Sequence, residues 1–420
     1  MASIKALFGK NMPQSIGQKI TAEALRQLFP IRNLSEEILE SFAADNHVEM
    51  IAAGTTLFGV NQPADCAIYL LSGRVSLSDQ NGKTYEIEAG SAQAKFPLCS
   101  GVKHTTTAVA KTVIGVLRVS LNIMATTNRF EHGTLGISDE FRDNRLLALF
   151  AEHFQEHELE IPTLPEVAIH LRKAIQKDVG ISEAVKIIQL DPVISAKLIE
   201  VANCPLYLTN IRASNCLDAV KRIGLNATRS LVIALSIKQI FKSKSPLLKR
   251  HLEELWKQSL YLSALCHILA AGCGQQNPED ALLAGLVCDI GALPFLSFVA
   301  NLPAEYIHDA EIEEAIPVLK GVVGATVLKE WDFPNSFIDV ALASGDWFEN
   351  TSEELSLTDI VVLSRLHALI GKKNTADIPA ITAIPAASKL KNLALSPENS
   401  LAMLHDAKAK IHAALSIFSN

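Results

Sequence analysis

The spacing of apolar and polar positions changes twice along this chain. In residues 34–45, LSEEILESFAAD, apolar residues recur at helical intervals, and Ser35 stands where a helix N-cap belongs. From Val48 to about Leu121 the pattern shortens to strand-like runs: TTLFGV, CAIYLLSG, RVSLSD, TYEIEAG and TVIGVLRVS. Gly54, Asn61, Gly73, Asn81-Gly82 and Gly90 punctuate them, and Asn81-Gly82 is a tight-turn signal between two strands. Short strands at regular spacing predict a small barrel or jelly roll.

Beyond Phe130 helical spacing takes over. Residues 139–159 are charged and predict a connecting helix. Ala184, Val185, Ile187 and Ile188 share one face. Asp191-Pro192 predicts a helix start, carried on by Val193, Ala196, Leu198, Ile199 and Ala202. Gly224 is expected to end a further helix, and Asn226 to cap the next, through SLVIALSIKQIF. Helices are also predicted over 256–271, 279–300, 313–331 and 335–343. Residues 372–398, rich in Ala, Pro and Lys, predict a looser link, with Ser396-Pro397 starting a last helix through Phe418.

Composition narrows the class. At 420 residues the chain predicts two or three domains, and 49% hydrophobic against 20% charged residues excludes bulk disorder. A net charge of -7 argues against a dedicated nucleic-acid binder. No uninterrupted apolar run is read as a membrane span, and the opening MASIKALFGKNMPQSIGQKI has no apolar core of a signal peptide. Seven cysteines without a CxxC pair fit free thiols in a reducing compartment, so a cytoplasmic location is expected.

Two resemblances follow. GTTLFGVNQPADCAIYLLSGRVSLS resembles two strands and a turn of cyclic nucleotide-binding domains. IPTLPEVAIHL, DPVISAKLIEVANCPLY, LDAVKRIGLNATRSLVIALS, LWKQSLY and ALLAGLVCDIGALPFL resemble, in order and spacing, the HDOD domain, a relative of the HD phosphohydrolases. Together they imply a multidomain α+β chain, with a β-roll followed by an all-α HDOD bundle. The expected boundaries are a helical segment at 1–45, the β-roll at 46–130, a connector at 131–158, the HDOD domain at 159–350 and C-terminal helices at 351–420.

The HD resemblance implies metal ligands, which can be carried over position by position. The first His falls at Gln258, and the His-Asp doublet at Cys288-Asp289. Later ligand positions fall at about Lys320, at Ser344-Gly345 and at Arg365. Lys and Arg donate hydrogen bonds only and offer no lone pair to a metal. The expectation is a degenerate site with no metal, no cofactor and no catalytic residue. A different metal site could enlist His267 or His308 beside Cys288 and Asp289; the plainer reading is a packed thiol and a locally paired carboxylate.

The nucleotide resemblance loses its diagnostic groups too. Where a Glu would meet the ribose and an Arg the phosphate, GSAQAKFPLCSGVKHTTTAVA offers Lys95 and His104. Lys95, Lys103 and His104 are candidates for a less specific anion site, against the plainer reading of solvated surface residues. His153-Phe154-Gln155-Glu156-His157 matches the H-x-x-E-H pattern of inverted zinc proteases, but a solvated helix face explains it as well. Asn203 is expected to close its helix before Pro205, while Lys221, Arg222 and Arg229 form a small basic group. Trp256, Trp331 and Trp347 are expected in core or groove positions.

These readings predict a non-catalytic signal-transduction protein. The HDOD bundle would meet signalling proteins, and the β-roll would sense a small anionic or nucleotide ligand. No nucleic-acid or membrane partner is expected, and a homodimer is left open. The alternatives are a metal-dependent phosphohydrolase or phosphodiesterase with an altered site, and a receptor for a nucleotide or other anion at the β-roll.

Overall fold

The computed structural model describes residues 18–34, 36–79, 82–99, 103–120, 144–156, 159, 161, 163–176, 180–204, 207, 211–238, 246–303, 306–369 and 378–391. Ser35, Asn81, His157 and the expected helix from Ser396 to Phe418 lie outside them. The chain divides into two compact units. One comprises Met1–Arg129, Asp346–Leu355 and Leu369–Ser396; the other comprises Phe130–Gly345, Ser356–Ala368 and Pro397–Asn420. Where the sequence suggested one run of C-terminal helices from 351 onward, packing deals those segments out between the units.

The first unit is antiparallel β. Its strands are β1 (Gln18–Lys19), β2 (His47–Ile51), β3 (Thr56–Phe58), β4 (Cys66–Ser72), β5 (Arg74–Ser78), β6 (Thr84–Glu88), β7 (Thr107–Ala110) and β8 (Ile114–Ser120). They form two sheets, ordered β1-β2-β8-β4 and β3-β7-β5-β6. Strands β1, β2 and β7 are not among the expected strands: β1, inside the segment 1–45 expected to be helical, is two residues long, β2 is half-exposed along its length, and β7 is four residues long.

Side-chain alternation assigns the two faces of β4. Cys66, Ile68 and Leu70 point into the core shared with Val75, Leu77, Ile87, Ala108, Ile114 and Val116. Ala67 and Tyr69 point the other way, onto a cluster with Leu25, Leu39, Phe42 and Phe96. Burial on both faces explains why CAIYLLS reads as an unbroken apolar run. Leu39 and Phe42 come from α1 (Glu36–Asp45). Phe348 packs in the same cluster, and Trp347 packs against it, so this tryptophan belongs to the β unit and not to the helical half.

The second unit is helical: α2 (Arg145–Glu156), α3 (Glu166–Gln176), α4 (Ile181–Ile188), α5 (Pro192–Ala202), α6 (Cys216–Ile223), α7 (Leu225–Lys238), α8 (Pro246–Cys273), α9 (Pro278–Val287), α10 (Ala292–Ala300), α11 (Asp309–Glu330), α12 (Asn335–Ala343) and α13 (Leu357–Leu369). Asp191 caps α5 as its sequence predicts, accepting from the Val193 and Ile194 amides at 2.9 and 3.0 Å. Gly224 ends α6 at φ +88°, a conformation that favours glycine. Asn226 does not cap α7; that helix begins at Leu225, and the Gly224 carbonyl already accepts the Thr228 amide at 3.0 Å.

Two corrections shape the site. Residues 279–300 were expected as one helix, but α9 stops at Val287 and α10 begins at Ala292. Three-residue turns bridge the gap: the Ile290, Ala292 and Leu293 amides donate to the Val287, Asp289 and Ile290 carbonyls at 3.0–3.1 Å. The stretch Pro278–Ala300 is nonetheless long and apolar enough, by composition, to cross a membrane, which the reading of the sequence had not allowed for. Its most apolar window is 83% buried inside the protein. The second correction is α13, absent from the helices predicted by spacing. Leu357 through Ser364 are all buried, so no polar face marks its period.

Candidate functional site

The break between α9 and α10 presents Asp289 to two other helices, α11 and α13. Its position depends on glycine. A Cβ on Gly291 would stand 2.3 Å from the Gly324 amide nitrogen and 2.4 Å from the Lys320 carbonyl oxygen, so only glycine lets α11 approach this closely. The same approach delivers the Lys320 side chain. On the other side α8 meets α9 at Gly285, where a Cβ would lie 2.8 Å from Cys266 Sγ and from the Ser263 Cα. Helix α13 supplies Arg365, and Ser344 stands at the C-terminal cap of α12.

These groups form one ion cluster. Arg365 grips the Asp289 carboxylate with both terminal nitrogens, Nη1 to Oδ2 at 3.1 Å and Nη2 to Oδ1 at 2.5 Å. Lys320 Nζ reaches Oδ1 at 3.0 Å. Arg365 Nη2 also points to Cys288 Sγ at 3.1 Å and to Ser344 Oγ at 3.4 Å. The Asp289, Arg365 and Lys320 side chains are 12%, 15% and 21% exposed. Such burial is tolerated only with good geometry and satisfied partners, which the two-pronged arginine contact provides.

Protonation follows from these contacts. Burial alone would raise the Asp289 pKa. The charges of Arg365 and Lys320, and their hydrogen bonds, outweigh it and hold the carboxyl well below the usual carboxylate range. Burial works against the Arg365 charge as well, but Asp289 more than compensates, and the guanidinium pKa is raised further. Burial pushes the Cys288 thiol up to about 12, against the pull of Arg365. Cys266, beside Ser364 and Arg365, is likewise pushed up to about 12 by burial. Both sulfurs are neutral thiols at neutral pH, and Cys288 donates to the Gly285 carbonyl at 3.3 Å.

The donor set does not suit a divalent cation. It offers one carboxylate, already held by two cations, and thiols that resist ionisation. Among the described residues no group of three or more His, Cys, Asp or Glu side chains could hold a metal ion. His267 pairs with Glu279 at 3.3 Å, and His308 is exposed at the start of α11.

The structure brings Cys288, Asp289, Lys320, Ser344 and Arg365 together and leaves Gln258 out. Gln258 is exposed on α8 and reaches Glu254 at 3.3 Å. The residues of α8 that face this region are Ser263 and Cys266, which the sequence reading did not single out. Their signal was weak: small residues on a helix opposite a glycine.

The other candidates scatter. His104 is not a solvated residue: it is 6% exposed and stacks on Phe58 with ring centroids 3.9 Å apart. Burial lowers its pKa, so it favours the neutral ring and attracts no anion at neutral pH. Lys103 is exposed and Lys95 is half-buried. The segment around Thr382 covers this part of the β unit, where Thr382 Oγ1 meets the Tyr85 hydroxyl at 2.6 Å and its carbonyl accepts from Thr105 Oγ1 at 3.0 Å.

His153 packs against Phe298 with centroids 4.9 Å apart. Arg222 and Arg229 are not a free basic patch. Arg222 Nη1 donates to the Ala202 carbonyl and to Asn203 Oδ1, both at 3.1 Å, while Arg229 pairs with Asp280 at 2.6 Å. Asn203 closes α5 without the left-handed backbone, at φ -100°. Its side chain ties the following loop down instead, exchanging hydrogen bonds with Ala213 at 2.8 and 2.9 Å.

Comparison with known proteins now places the helical unit. Residues 161–346 match the family model of the HDOD domain. This part of the chain is an HDOD domain. The chain is similar to a candidate metal-dependent phosphohydrolase from Shewanella amazonensis whose structure is solved, at 27% identity and a TM-score of 0.53, over 63% of this chain and 98% of that one. It is also similar to an uncharacterized protein from Treponema pallidum, 24% identical over 192 residues. That match takes in 43% of this chain and spans 36% of the relative's length. A cyclic nucleotide-binding-like protein from Brucella abortus is similar over 25% of this chain and 95% of its own, at 23% identity and a TM-score of 0.21.

Proposed function

We propose that this HDOD protein is a non-catalytic signal-transduction component of the cytoplasm. Its helical bundle serves as the protein-interaction output, and its β-roll, which resembles cyclic nucleotide-binding domains, serves as a degenerate sensor. One observation carries the reading: Lys320 and Arg365 stand on Asp289, where a phosphohydrolase of the HD type would need metal. A metal-dependent phosphohydrolase polarises phosphate through bound ions, and a carboxylate committed to two cations cannot also hold one.

The rival reading is a phosphohydrolase with an altered site, as the Shewanella relative's description would suggest. To separate them, the purified protein is incubated with Mn, Zn, Fe or Mg, desalted and analysed for bound metal. It is then assayed on p-nitrophenyl phosphate and bis-p-nitrophenyl phosphate. The adaptor reading expects metal well below one ion per chain and no turnover above an Asp289→Ala control. One ion per chain together with turnover, both lost in that control, would overturn it. Capture of tagged protein from its native host then tests for the signalling partner.

A further inference from the structure

The ion cluster does not balance. Lys320 and Arg365 bring two positive charges to the one carboxylate of Asp289. Cys288 and Cys266 contribute none in return, since both stay protonated at neutral pH. Among the described residues no second carboxylate pairs with either cation. The cluster therefore carries an excess positive charge in a largely desolvated place, where such charge is costly without a counter-ion. Donors also remain. The buried Nε of Arg365 has no acceptor among the described residues, and Asp289 takes only one of the three N–H directions of Lys320. Lys320 has the most exposed side chain of the three, at 21%, and gives an ion from solvent its point of entry.

We infer that this cluster is a binding site for a small phosphate-class anion, held by Lys320 and Arg365. The inference rests on the reading above, in which no metal occupies the cluster. Binding adds a compensating charge without breaking the Arg365–Asp289 contact, and so steadies the junction of α9, α11 and α13. The chemistry recognised is a tetrahedral oxyanion, either free phosphate or the phosphate of a small monoester.

The test uses the full-length protein, titrated with inorganic phosphate at constant ionic strength and followed by calorimetry and thermal unfolding. Lys320→Met is the decisive variant: it leaves Asp289 and Arg365 as a balanced pair, so the fold should persist, while one of the two anion-holding cations is gone. Lys329→Met, farther along α11, is the control. The expectation is saturable binding and a rise in Tm for the wild type and the control. In Lys320→Met, phosphate affinity should drop by about tenfold or more, the loss of one charge-assisted contact. Ribose 5-phosphate is titrated in parallel; if it binds tighter than phosphate the ligand is a monoester, and if weaker, free phosphate. An unsaturable response, or equal affinity in Lys320→Met and wild type, would overturn the anion site and leave the adaptor reading standing. Stoichiometric metal at the cluster would overturn both.

Discussion

Replacing Asp289 with Asn keeps the shape of the side chain and deletes the charge that two cations share. Arg365 and Lys320, 15% and 21% exposed, would then face each other with no counter-charge among the described residues. Removing one partner of a buried ion pair costs about 3–5 kcal/mol; partial exposure softens this, so the expected loss is about 2–4 kcal/mol. At roughly 2–4 °C per kcal/mol for a unit of this size, the helical transition should fall by about 5–15 °C. Trp256 and Trp331, both in the helical unit, report that transition by fluorescence.

A triple variant, Asp289→Leu with Lys320→Met and Arg365→Met, removes every charge at once. Buried ion clusters exchanged for apolar groups of similar volume are often neutral or better, so the triple should regain most of the lost stability. The pH dependence gives a second check. The folded Asp289 pKa lies below its unfolded value, so the unfolded chain binds more protons in acid. The stabilisation it provides is present above the ordinary carboxylate pKa and is lost as pH falls from about 4 downward. Asp289→Asn should show a shallower acid loss than the wild type. An Asp289→Asn variant less than about 1 kcal/mol below the wild type, or a triple as unstable as the single, would refute the argument that charge pairing holds this junction.

Gly291→Ala forces a Cβ onto the Gly324 amide and the Lys320 carbonyl, at 2.3 and 2.4 Å, so it should destabilise the helical unit by about 2–3 kcal/mol in urea unfolding. A small loss would mean that α11 can back away at little cost. His104, with its pKa lowered by burial, favours the neutral ring in the folded state. Its contribution is present above the usual histidine pKa and is lost as pH falls through the depressed folded value; His104→Phe should flatten that acid-side loss in melts between about pH 7 and 5. Asp191→Ala removes the cap of α5 and should cost about 1 kcal/mol in the same urea assay.

Much of the helical unit was legible because caps and periods are local. Asp191-Pro192 and Gly224 mark helix ends through backbone chemistry that a few neighbouring residues decide. C-terminal helices were expected from residue 351, but the period and bounds of α13 were not legible, since a helix buried on every side loses the polar stripe that reveals its period. The break at residues 288–291 was missed for a related reason. Apolar residues run through it, and the chain turns there because Gly291 meets Gly324, a contact 33 positions away in sequence. Gln258 was misplaced because a helical face is fixed by packing: on α8 it is Cys266, two turns onward, that faces Arg365.

The sequence by itself determined which chemistry could be present. Cysteine where a histidine ligand would stand, and lysine and arginine at later ligand positions, can be read without coordinates, because the donors of a side chain are fixed by its identity. Only the tertiary structure decided that Asp289, Lys320 and Arg365 meet within 3.1 Å, and that His104 is buried against Phe58. Ion pairing falls off with distance and strengthens with burial, and both are set by how α9, α11 and α13 pack.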